Sequence, residues 1–298
     1  MSIFYGKYFQ KYIIYLENYK LLCYPFKLCH VCCIQYDTDK KIKDDERKGK
    51  YIMLLTDVAK VAEAAKNKAE LCNNHFGKYF MRAVMAGFYI VVATILSNVS
   101  AAVLYSTYPQ FGKLLGAFLF SLAIVLVVFL NGELFTGNNF VMAVGVYNKT
   151  VSVKDMVKVW VVSYVGNFVG AILLSAMFVY SKASHAIMVD YYNSFIYTKI
   201  SAGLPELLLK GILCNFLVCM AVLVGTKLKS ESGKLIIMFC IIMSFVVAGF
   251  EHCIANMSTF SIGYMLLGNI GTASVIKSMI VVTIGNILGG AVLLGVPV

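Results

Sequence analysis

Six long apolar runs, two of them interrupted by polar residues near their middles, constrain this 298-residue chain more than any other feature. They are Arg82–Leu104, Leu114–Tyr147, Met156–Tyr180, Glu206–Thr226, Leu235–Ile262 and Val275–Val298. A hydrocarbon core about 30 Å thick needs about 20 apolar residues of helix to cross it. Composition agrees: 60% of residues are hydrophobic and 14% charged, where a soluble domain is about a quarter charged. The fold class is therefore an all-α polytopic membrane protein. Its 23 glycines and 4 prolines fit, since small residues let membrane helices pack closely.

The interruptions are specific. Leu114–Leu130 is followed by "NGELFTGNN" and then "FVMAVGVY"; Leu235–Phe250 is followed by "EHCIANM". Each reads as a helix broken near mid-membrane. Such a break is tolerated only where its freed backbone lines a cavity or is buried in protein.

The two halves of the chain resemble each other. "VGNFVGAILL" (165–174) and "IGNILGGAVLL" (284–294) share G-N-x-x-G, and "RAVMAGFYIVVA" (82–93) is echoed by "KGILCNFLVCMA" (210–221). "ELFTGN" (133–138) and "EHCIAN" (251–256) share a glutamate, a small residue and an asparagine in the same order. The matches recur at offsets of roughly 118–128 residues. Three spans repeated gives opposite topology to the two halves: an inverted 3+3 repeat, with broken spans 2 and 5 meeting at the midplane around a binding or conduction site.

The net charge of +11 is spread over the ends of apolar runs, not gathered in a patch with interleaved aromatics, so no nucleic-acid partner is expected. Lysine is denser before span 1 and in the loops after spans 2 and 4. That places both termini in the cytoplasm of a plasma-membrane protein. The nine cysteines and four histidines show no zinc or disulfide spacing, so neither metal nor cofactor is expected.

Residues 1–52 differ from the rest: rich in Tyr, Lys and Cys, then a charge run. They lack a signal-peptide pattern. An interfacial segment is one reading. The favoured one is that translation begins at Met53, with residues 1–52 a mis-assigned extension. Residues 53–81 form a cytoplasmic amphipathic stretch, its stripe made by Val58, Val61, Ala62, Ala65 and Ala69, with Lys60, Lys66 and Lys68 elsewhere on the helix. The span region proper is 82–298.

The half-helices that start after each break present free N–H groups and partial positive charge, which favours an anion in a pore between them. Glu133 and Glu251 would oppose an anion. The expectation is that both turn away and, with Asn138 and Asn256, scaffold the breaks by accepting hydrogen bonds from freed backbone. Asn167 and Asn286 are expected to bond backbone or neighbouring helices. His252 has Leu134 as its repeat mate, so the scaffold alone does not demand a histidine. At membrane depth it is the leading pore candidate, able to donate a hydrogen bond or a proton. Phe120 and Phe245 are packing aromatics by default, and Lys199 an ordinary solvated lysine.

At "ELFTGNN", "GFEHCIANM", the G-N-x-x-G pair and "LLLKGILCNFLVC", the chain resembles the formate/nitrite transporter family from about Asp57 to Val298. One departure is Asn131, where the family has a small residue, often glycine. The resemblance implies an aquaporin-like homopentamer in the bilayer, each protomer passing a small monovalent weak-acid anion (formate, nitrite or hydrosulfide) with a proton. By position it implies a central histidine at His252, where protonation takes place, a break loop with Leu134 and Thr136, apolar constrictions at Phe120, Ile124 and Phe245, a fourth-span asparagine at Asn215 and a vestibule lysine at Lys199. "LFTGNN" with "VKVW" is similar to the hydrosulfide branch. The alternative, an aquaporin-like neutral-solute channel, would need N-P-A at the breaks, where this chain has "TGN" and "IAN". An intramembrane enzyme would need a nucleophile with its base or clustered metal ligands, and a purely structural protein leaves the breaks unexplained.

Overall fold

The computed structural model describes residues 57–268 and 270–298; the segment 1–52 and the start at Met53 lie outside the described residues. Helix α1 (57–74) buries Val58, Val61, Ala62, Ala65 and Ala69, the stripe read from its periodicity, together with Cys72. It ends at His75, and α2 (Phe76–Leu104) starts at once. The stretch 53–81 is thus not one amphipathic element. The stripe of α1 packs into the cluster of Phe140, Met142 and Val144, whereas α2 packs on α6, so the chain needs a joint between them. Burial also raises the Cys72 thiol pKa above its ordinary range.

The first broken span runs through α3 (Pro109–Phe120) and α4 (Leu122–Phe129), continuous across Ser121, and resumes as α5 (Phe135–Tyr147). Then come α6 (Val153–Tyr180), opened by a Ser152–Asp155 capping box, and α7 (His185–Ile200). The second half repeats the order: α8 (Leu204–Lys227), α9 (Glu231–Val247), α10 (Cys253–Leu267) and α11 (Thr272–Ile287), which ends in a π-helical turn, Leu288–Leu294. Among the described residues five helices are long and apolar enough to cross a membrane: Phe76–Leu104, Pro109–Phe129, Val153–Tyr180, Leu204–Lys227 and Thr272–Leu294. The remaining span is the pair α9 and α10. The chain is a multi-pass membrane protein.

Two glycine contacts hold the halves in matching form. Gly170 of α6 lies against the Val84 carbonyl of α2, and Gly289 lies against the Ile212 carbonyl of α8; a Cβ at either would overlap that carbonyl. These are the last glycines of the two G-N-x-x-G motifs. Close backbone approach is what small residues provide in membrane packing, where no hydrophobic effect drives helices together. The short helices after the breaks sit at the centre. Residues Phe135–Gly145 are buried without exception, and most of α10 is buried with them. Large apolar side chains such as Val92, Leu173, Leu209 and Ile280 are exposed on the long outer helices, as a hydrocarbon environment allows.

Candidate functional site

The two breaks are built alike, bond for bond. In the first, Leu130 N–H donates to Leu126, Asn131 N–H to Val128 and Gly132 N–H to Val127; in the second, Ala248 N–H donates to Ser244, Gly249 N–H to Val246 and Phe250 N–H to Phe245. Asn131 (φ 53°) and Gly249 (φ 74°) occupy equivalent left-handed positions. Asparagine tolerates that region better than other residues with a Cβ, so the family departure at Asn131 keeps the same turn. The next N–H reaches across to a neighbouring span: Glu133 to the Arg82 carbonyl at 3.1 Å, Glu251 to the Lys210 carbonyl at 3.3 Å.

The remaining freed backbone goes to two asparagines. Asn167 Oδ1 accepts from Phe135 N–H at 2.9 Å, while its Nδ2 donates to the Ala83 and Glu133 carbonyls. Asn286 Oδ1 accepts from Cys253 N–H at 2.8 Å, while its Nδ2 donates to the Gly211 and Glu251 carbonyls. All of these groups are buried, and a buried amide left unpaired costs about 1–3 kcal/mol. This corrects the expectation for the glutamates. Their carboxylates do not take the freed backbone; each is held by a lysine and by the break asparagine. Glu133 Oε2 lies 2.6 Å from Lys68 Nζ and 3.2 Å from Asn138 Nδ2. Glu251 Oε2 lies 2.8 Å from both Lys199 Nζ and Asn256 Nδ2, and Lys199 also donates to Asn256 Oδ1 at 3.0 Å.

A cavity of about 470 Å³ lies between the Lys199 helix and the second break. Lys199, Glu251, Asn256, Phe120, Phe245 and His252 all line it. Phe120 and Phe245 meet edge to face at 6.1 Å between centroids, and the His252 ring stacks on Phe245 at 6.1 Å. Ile124 and Leu134 belong to the same apolar cluster but do not line the cavity. One wall is polar: Thr94, Ser97 and Asn98 of α2 line it, with Asn98 Nδ2 donating to Tyr192 Oη at 2.7 Å. Burial pushes the neighbouring Tyr191 phenol up to about 12, so it stays neutral.

His252 caps α10. Its Nδ1 accepts from Ala255 N–H at 3.1 Å, and its Nε2 is 2.9 Å from Thr136 Oγ1 of the other break. A backbone N–H can only donate, so Nδ1 is an acceptor and the neutral ring carries its proton on Nε2. Nε2–H then donates to Thr136 Oγ1. Leu134 caps α5 at the equivalent place without a side-chain bond. Thr136 does not line the cavity; it lies behind His252. Nor does Asn215: its Nδ2 donates to the Thr136 and Asn286 carbonyls at 3.1 and 2.6 Å, so it supports the backbone that presents Thr136. Cys219 Sγ contacts the same Thr136 carbonyl at 3.4 Å.

Lys68 escaped the sequence reading, which placed it with Lys60 and Lys66 away from the stripe. The only signal was its match to Lys199, each lysine standing on the helix that precedes the first span of its half.

The family "Formate/nitrite transporter" matches residues 56–298. The chain is 31% identical over 240 residues to a protein of Haemophilus influenzae described as "Formate channel FocA", covering 73% of this chain and 84% of that one. Among solved structures, an "FNT family ion channel" superposes with a TM-score of 0.76 at 26% identity, over 82% of this chain and 97% of that chain. A "Pentameric formate channel with formate bound" gives 0.63 at 29% identity, over 74% and 94%. With its family profile, its fold and its paired breaks in agreement, this chain belongs to the formate/nitrite transporter family.

Proposed function

We propose that this protein carries small monovalent weak-acid anions across the membrane, formate and nitrite first among them, and that the anion crosses as its neutral acid. The observation that carries the reading is the position of His252. It lines the same lysine-bearing vestibule as the Phe120–Phe245 pair, stacks on Phe245 and is bonded to the opposite break. Membership in a family of transporters and channels excludes an enzyme.

The physics runs from the mouth inward. Cationic side chains draw the anion into the vestibule. The paired phenylalanines make a bare charge expensive. Desolvation raises the pKa of the anion, which therefore takes up a proton as it enters the apolar zone. With Nδ1 held by Ala255 N–H, the neutral His252 ring has no free lone pair, so water in the vestibule supplies that proton. His252 offers Nε2–H to the substrate when it parts from Thr136. The ring gains a proton of its own only by giving up the cap on α10. Lys68, Glu133 and Asn138 are the counterpart on the far side.

The exposed apolar faces of the outer helices fit a homopentamer, in line with the pentameric assembly of the solved formate channel. By lysine bias the described N- and C-terminal ends face the cytoplasm, and the Lys199 vestibule faces outward. Uptake by proteoliposomes of formate, nitrite, hydrosulfide and acetate tests the reading: saturable, proton-stimulated uptake of at least one supports it, and passage of none overturns it. A preference for hydrosulfide would support the branch expected from "LFTGNN" with "VKVW". Native mass spectrometry tests the pentamer.

A further inference from the structure

We infer that Lys113 is the charge that makes the vestibule mouth electropositive, and that it sets how readily the anion is captured. The inference rests on the transport reading above and goes beyond the residues that the family resemblance brought forward.

One face of α3 runs the depth of the vestibule. Pro109, Lys113, Gly116, Ala117 and Phe120 all line it, spaced at three and four residues. With a rise of 1.5 Å per residue, Lys113 stands about 10 Å along the axis from the Phe120 constriction. Two small residues between them keep the passage open. Charge, small residues and aromatic thus follow one another down a single helix face.

The charges around the cavity decide the rest. Three lysines line it: Lys113, Lys199 and Lys210. Lys199 is bound to Glu251 at 2.8 Å and Lys210 to Glu206 at 2.6 Å. Each pair is a dipole at a distance, and its field fades faster than that of a lone charge. Lys113 has no carboxylate partner among the described residues. The first turn of α3 holds no acidic residue, so the partial positive charge of its N-terminus adds at the same mouth. The Tyr191 phenol contributes no negative charge. The lining therefore carries one uncompensated charge, at the entrance and not at the constriction.

A charge so placed acts on capture more than on passage. Focusing in clefts raises local counter-ion concentration and on-rates by about 10–10³-fold for whole fields; one exposed charge, screened over about 8 Å at physiological salt, is worth a few-fold.

The test is initial-rate formate uptake into proteoliposomes bearing wild type, Lys113→Gln, Lys113→Arg and Lys113→Glu, at low and high concentrations of an impermeant salt. At low salt, Lys113→Gln should raise the half-saturating concentration by about three- to fivefold and Lys113→Glu further, with Lys113→Arg near wild type. The saturated rate should change less than the half-saturation, and high salt should shrink the difference. Equal half-saturation of wild type and Lys113→Gln at low salt overturns the inference. So does a fall in saturated rate shared by the Gln and Arg variants, the mark of a packing role. Wild-type protein that passes no anion overturns the transport reading and this inference with it, whereas active wild type with an unaltered Gln variant overturns this inference alone.

Discussion

Thr136 and His252 stand 116 positions apart and share a hydrogen bond of 2.9 Å that joins the two breaks of the repeat. The same ring accepts from Ala255 N–H, so one side chain closes α10 and reaches the opposite half. These two jobs separate by substitution. Asparagine is a good N-cap and keeps the first; neither asparagine nor leucine carries Nε2–H. His252→Asn should therefore assemble like wild type, and His252→Leu should lose about 1 kcal/mol of stability with the cap. Both should transport about two- to tenfold more slowly, the effect of about 0.5–1.5 kcal/mol for a hydrogen bond to the neutral acid. Uptake assays on protein checked by thermal unfolding in detergent measure both.

The lysine–glutamate pairs predict a pattern of coupling. Lys68 and Glu133 are largely buried at 2.6 Å, as are Lys199 and Glu251 at 2.8 Å. Removing one partner leaves an uncompensated charge, at a cost of about 3–5 kcal/mol; removing both costs far less. Lys68→Met should lower the unfolding temperature clearly, and Lys68→Met with Glu133→Leu should recover much of the loss. Equal destabilisation by single and double variants would argue that the pair is not coupled.

The turn at each break gives a cleaner backbone test. A Cβ at Gly249 would meet no atom within 4 Å, so any cost of Gly249→Ala comes from φ alone. That cost is about 1–2 kcal/mol. Gly249→Asn should be milder, since asparagine already holds the equivalent Asn131. Asn131→Gly should be neutral or slightly stabilising, and Asn131→Val should destabilise. Denaturant titration of the four variants gives the order.

Asn167 and Asn286 each satisfy one backbone N–H and two carbonyls, all buried. Replacement by leucine strands two polar groups at the break, the N–H and the Glu133 or Glu251 carbonyl, each at about 1–3 kcal/mol, while the Ala83 and Gly211 carbonyls keep their helix partners. Either leucine variant should fail to accumulate in membranes. Asn167→Asp keeps the acceptor for Phe135 N–H and loses the donors, so membrane yield on immunoblots should fall between leucine and wild type.

Much of this architecture was legible because membrane burial leaves so few ways to explain a polar residue. "ELFTGN" and "EHCIAN" stood out against apolar runs, and the six-span reading with breaks in spans 2 and 5 matches the fold of the solved relatives. The partners of those residues were harder to read. A glutamate beside freed N–H groups invites a backbone bond, yet Asn167 and Asn286 reach those groups first and leave the glutamates to lysines. Lys68 looked solvated because surface helices usually carry lysine on the outside; only the folded repeat turns it toward Glu133. The joint at His75 was hidden because apolar periodicity continues across it. Asn215 seemed a pore residue by resemblance, whereas its amide lies behind Thr136 and holds the backbone there.

The claim on which the account turns is that the anion crosses as its neutral acid. Initial uptake of formate into proteoliposomes, at fixed total formate and fixed internal pH, tests it most directly as external pH is lowered from 7.5 to 5.5. Over that range the anion concentration hardly changes, while proton activity rises a hundredfold. Initial uptake should climb steeply with acidity, and the formate finally accumulated should collapse when a proton ionophore removes the gradient. Uptake that stays flat from pH 7.5 to 5.5 in active vesicles would contradict it.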